Sequence, residues 1–141
     1  MDITLAIQAV QAHWLTVEGI RPEAAPDEIN DKTGPLPRVL TYEATSETDV
    51  AQMYSGTFSP QTGTIRSDLH CERTNPDLSV PLARAMVKAF LRKLMVDPNL
   101  GGHLMITSPV RATFMTFDLA GVQTVGYRVE MEYQSELTLE D

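Results

Sequence analysis

The chain has 141 residues, 43% of them hydrophobic, and its 19 acidic side chains against 11 basic ones leave a net charge of −8. That is enough for one domain with a real core, too little for two, and too apolar for a disordered chain. The acidic balance disfavours binding through a phosphate backbone, the single Cys71 leaves no internal disulfide and fits a reducing compartment, and no apolar run approaches the roughly 20 residues of a membrane span.

The opening residues, MDITLAIQAVQAHW, carry an acid and no basic cluster, so they do not read as a signal peptide. Ile3, Ile7, Val10, Trp14 and Val17 recur at helical spacing, which predicts an amphipathic helix over residues 3–18 ended by Gly19. His13, beside Trp14, reads as structural. Residues 21–37 hold four prolines and four acids and read as loop, with GPLP forcing an extended entry into a strand over 38–44.

Residues 45–63 are polar and too long for an ordinary hairpin connection. They predict an extended hairpin arm whose apolar members, Met53, Tyr54 and Phe58, pack on the parent domain or on a neighbouring subunit. Residues 64–72 alternate with period two. Ile65, Leu69 and Cys71 face the core, and Arg66, Asp68, His70 and Glu72 face away. Neighbours on opposite strand faces cannot form a Cys/His nucleophilic pair. His70 and Glu72 share a face, and with His103 as a guessed third group they are the weaker, enzymatic or metal-binding reading.

Residues 79–96 form the clearest helix. Ser79 is its expected cap, Pro81 falls in its first turn, Asp97-Pro98 stops it and Gly101-Gly102 allows a reversal. Val80, Ala83, Val87, Phe90, Leu91 and Leu94 make one face with Met86 and Met95 at its edges, worth roughly 8 to 15 kcal/mol if buried, before ordering costs. Arg84, Lys88 and Arg92 form a basic stripe at i, i+4, i+8, read either as wet surface or as a contact with acidic surface of another copy. Strands follow over 110–117 and 122–136. In the second, Val125, Tyr127, Val129, Met131 and Tyr133 face one way, and Arg128, Glu130, Glu132 and Gln134 face water. At about 3.3 Å per residue it spans roughly 50 Å, so it needs to bend at a bulge near Gly126 or to pair with a neighbouring chain.

The GxGxxG, Walker, HExxH, CxxC and GxSxG patterns are absent, so no catalytic, cofactor or metal site is expected. The expected fold is α+β: a mostly antiparallel sheet packed against an N-terminal helix and a central helix, with a long hairpin arm.

This order of elements, with the entry LPRVLTYEA, the strand TIRSDLHCERTNP before the central helix, the stop LMVDPNLGG and the closing strand GYRVEMEYQSE, resembles the tail terminator proteins of long-tailed bacteriophages. The likeness covers nearly the whole chain and is one of element order and length. It implies a structural, non-enzymatic virion protein, made in the host cytoplasm, that closes as a homo-hexameric ring on the tail tube protein. Such a ring ends tail polymerisation, offers a surface to the head–tail connector or stopper, and lets DNA pass through its lumen without specific binding. The arm, with Met53, Tyr54 and Phe58, and the stripe of Arg84, Lys88 and Arg92 are then the candidate subunit contacts. A stopper is the nearest alternative.

Overall fold

The computed structural model describes residues 3–20, 36–52, 58–119 and 121–138. Two helices lie on one face of a four-stranded, wholly antiparallel sheet. In chain order these are α1 (Ile3–Leu15), β1 (Arg38–Thr48), a 3-10 turn (Val50–Gln52), β2 (Phe58–Glu72), α2 (Pro76–Val96), β3 (Arg111–Leu119) and β4 (Val122–Thr138). The sheet order is β1-β2-β4-β3. The expected α+β architecture is therefore the one observed.

Helix α1 buries Ala6, Val10 and Trp14, one residue per turn, against the sheet and α2. It is shorter than periodicity predicts. The Thr16 amide bonds to the His13 carbonyl, the Val17 amide bonds to Trp14, and the Thr16 hydroxyl donates to the His13 carbonyl at 2.6 Å. These tight turns end the α-helix while keeping Val17 and Ile20 in the core.

Helix α2 begins at Pro76, with Asn75 as its cap, and not at Ser79. The Ser79 amide donates to the Asn75 carbonyl, so Ser79 lies in the first turn and is buried. Pro81 consequently sits inside the helix, where it forgoes the bond to the Asp77 carbonyl. Ala83, Met86, Val87, Phe90 and Leu94 are buried, whereas Val80 and Leu91 are only half-buried and Met95 is 80% exposed. After the stop, Leu100 adopts φ 51° and is held in that left-handed conformation by burial in the core.

The hairpin of β1 and β2 runs on into residues 45–63, the segment expected to extend it as an arm. β1 continues to Thr48, with a register shift between Glu43 and Thr45, and β2 begins at Phe58. β4 pairs with β2 along β2's full length, from Phe58↔Thr138 to Glu72↔Thr124. The overlong last strand therefore finds its partner within its own chain, and no neighbouring chain is needed for it. Gly126 is not a bulge: it keeps regular register with His70 on one side and Met115 on the other. A β-carbon there would fall on the Leu69 carbonyl oxygen, so glycine is required by close backbone approach. Before β3 begins, residues 105–107 already run along β4 through bonds from the Thr107 amide to the Glu132 carbonyl and from the Gln134 amide to the Met105 carbonyl.

Candidate functional site

The face of the sheet away from the helices is polar, but it is not simply wet. Asp68 is 6% exposed and His70 is 3% exposed, although both lie on the strand face opposite the core, as the alternation predicts. Register explains the Asp68 cluster, because β4 sets Arg128 opposite Asp68 and Glu130 opposite Arg66. Arg128 grips Asp68 with two bonds, Nε to Oδ1 at 2.9 Å and Nη2 to Oδ2 at 3.3 Å, and the Tyr42 hydroxyl donates to Oδ2 at 2.9 Å. Arg66 Nε reaches Glu130 Oε2 at 3.0 Å. Burial and the Asp68 carboxylate raise the Tyr42 pKa, so this hydroxyl stays a donor. The arrangement is a cross-strand charge lattice that locks register.

His70 lies beyond this lattice, its Nδ1 2.8 Å from the Thr124 hydroxyl and its ring tilted against Phe117 at 4.5 Å. Burial pushes its pKa down to about 4; Asp68 opposes the shift, and Arg38 and Arg128 reinforce it. Glu72 is exposed. His103 lines a separate cleft with Gln134, eight residues along β4 from His70's partner Gly126, which is on the order of 26 Å. The structure thus keeps His103 apart from His70 and Glu72. Cys71 faces the core, and burial pushes its thiol up to about 11, well away from a reactive thiolate. Among the described residues, no group of three His, Cys, Asp or Glu side chains could hold a metal ion, and no helix is long and apolar enough to cross a membrane.

The buried neutral His70 makes stability depend on pH. Its folded pKa lies below the ordinary 6.5, so acid protonates the unfolded chain first. The contribution is complete above about pH 6.5 and is lost as pH falls toward 4. Urea unfolding of the native protein should lose on the order of 3 kcal/mol more than His70→Gln does over that window. Equal slopes for the two would place the acid sensitivity elsewhere.

The candidate subunit contacts fall into two regions. Arg84, Lys88 and Arg92 are all exposed on one line of α2. The same line ends in Val96, 86% exposed, with Met95 beside it. Between the C-terminal ends of α1 and α2 lies a cleft of about 470 Å³ lined by His13, Thr16, Arg92, Lys93, Val96 and Asp97. Asp97 is engaged there, 3.7 Å from His13 Nε2 and accepting the Gly101 amide at 3.1 Å. His13 Nδ1 lies 3.2 Å from the Ala9 carbonyl oxygen. The second region is the arm. Met53 and Tyr54 lie outside the described residues, as does the side chain of Phe58; Phe58 itself opens β2. The described part of the arm presents Glu47, Asp49 and Val50, the last 70% exposed.

No protein-family model matches the chain, and no curated protein is a significant match. Sequence reasoning found the basic stripe from its spacing. It missed the Asp68 lattice because strand period gives a residue's face and not its cross-strand neighbour.

Proposed function

We propose that the chain is a structural protein of the neck of long-tailed bacteriophages, a tail terminator that closes as a homo-hexameric ring on the tail tube. The observation that carries this reading is the arrangement of the elements. Two helices back one face of an antiparallel sheet, and its β1–β2 hairpin continues into an arm on which Glu47, Asp49 and Val50 are exposed. The resemblance in element order supplies the identity of the assembly. Among the described residues, the titratable candidates His70, Cys71 and His103 are not gathered into one site: Cys71 faces the core and His103 lines a separate cleft from His70. A ring of identical copies needs two different, complementary surfaces on each subunit, and the stripe and the arm are chemically unlike. The ring ends tube growth, presents its other side to the connector or stopper, and passes DNA through an acidic conduit that forms few phosphate contacts.

The test adds purified protein to purified tails and inspects tube ends by electron microscopy. A ring-shaped cap is expected. Lys88→Glu and Arg92→Glu change exposed positions, so folding should alter by no more than about 0.5 kcal/mol while capping is impaired. Normal capping by both variants would leave the stripe as wet surface. Bare tube ends with the native protein would remove the reading itself.

A further inference from the structure

We infer that the acidic arm of one copy docks into the cleft between the α1 and α2 C-terminal ends of the next, and this contact rests on the ring-forming reading above. The charges are segregated along the chain. Residues 39–65, which include the arm, contain Glu43, Glu47 and Asp49 and no lysine or arginine. Residues 78–96 contain Arg84, Lys88, Arg92 and Lys93 and no aspartate or glutamate. In a chain of net charge −8, that leaves α2 as a locally cationic strip facing an acidic background.

Each side also carries apolar surface that its own subunit leaves uncovered. Val50 on the arm is 70% exposed, and Val96 at the rim of the cleft is 86% exposed. Among the described residues the cleft's one carboxylate, Asp97, accepts the Gly101 amide and lies 3.7 Å from His13 Nε2, beside the two cations that line the cleft, Arg92 and Lys93. The described part of the arm, with Glu47, Asp49 and the apolar Val50 exposed, therefore matches a basic cleft with an apolar rim. The two surfaces belong to different parts of the subunit, one to the helix layer and one to the hairpin. The contact is head-to-tail, the kind that closes a ring when the rotation from copy to copy closes and otherwise grows an open filament.

Oxidative cross-linking tests the contact directly. Cys71 is buried and stays out of the reaction. A chain carrying both Val50→Cys and Val96→Cys, mildly oxidised at high protein concentration, should give a denaturing-gel ladder of dimers, trimers and larger species. Either cysteine alone should stop at dimers. Adding Arg92→Glu with Lys93→Glu should abolish the ladder, as should adding Glu47→Lys with Asp49→Lys, and all four together should restore it. Circular dichroism of each variant establishes that it is folded. A double-cysteine chain that gives no ladder, a ladder indifferent to the reversals, or a fast-migrating monomer with the arm bonded to its own cleft would each overturn the contact. A ladder from a protein that leaves tail tubes uncapped would keep the contact and discard the neck assignment; capped tubes without a ladder would do the reverse.

Discussion

Gly126→Ala is expected to destabilise the protein by about 3–5 kcal/mol, more than any other exchange of a single small side chain in the sheet. Gly126 sits in the middle of β4 with β2 on one side and β3 on the other. The added methyl would occupy the Leu69 carbonyl oxygen's position, and that oxygen belongs to backbone. Relief requires β2 and β4 to separate, and these two strands share the longest ladder in the molecule. For a domain of this size the loss corresponds to a fall of roughly 10–20 °C in Tm. Gly102→Ala is the control: its φ of 90° makes alanine strained, but nothing stands within 4 Å, so a cost of about 1–2 kcal/mol is expected. Thermal unfolding of the two variants side by side decides the matter. Similar small losses for both would mean that β4 tolerates a side chain at Gly126.

The second large effect is at Trp14. Its indole stacks on the Phe90 ring with centroids 4.0 Å apart and planes 4° from parallel, and both rings are fully buried. This pair joins α1 to α2 on the sheet. Trp14→Ala should cost about 3–5 kcal/mol, from lost transfer energy and the cavity left behind. A 13-residue helix is marginal in isolation, so α1 should lose hydrogen-exchange protection first while the β2–β4 ladder stays protected. Trp14→Phe should cost much less. It keeps a ring against Phe90 and removes an indole Nε1 that is buried without a partner. A double-mutant cycle with Phe90→Ala should return a coupling on the order of 1 kcal/mol. Equal losses from Trp14→Ala and Trp14→Phe would show that the stacked pair is not what holds α1.

The helices and the strand order along the chain were legible because their apolar periods are local. Ala83, Val87, Phe90 and Leu94 announce the buried face of α2 without reference to anything else. Its start was less legible. Ser79 is a good capping residue, but Asn75 followed by Pro76 begins the helix a turn earlier and leaves Ser79 inside it. The point within the expected arm at which β2 begins was hidden because Ser59, Gln61 and Thr62 carry no apolar period. They are strand because β4 pairs with them on one side and β1 begins to pair at Gln61 on the other. Gly126 has two meanings in a strand, bulge or close approach, and only the position of Leu69 chooses between them. Asp68 shows the same limit for the candidate sites: its partners Tyr42 and Arg128 are 26 and 60 residues away. Long-range register decides whether such a carboxylate is wet or bound. The basic stripe, by contrast, is set by helical spacing alone and was read in full.

The most direct test of a self-assembling terminator is the length distribution of tail tubes polymerised with and without the protein. Tubes of one length, each ending in a six-fold ring of this chain, are predicted when it is present, and overlong tubes when it is absent. Identical length distributions in the two preparations, with no added density at the tube ends, would contradict a terminating role.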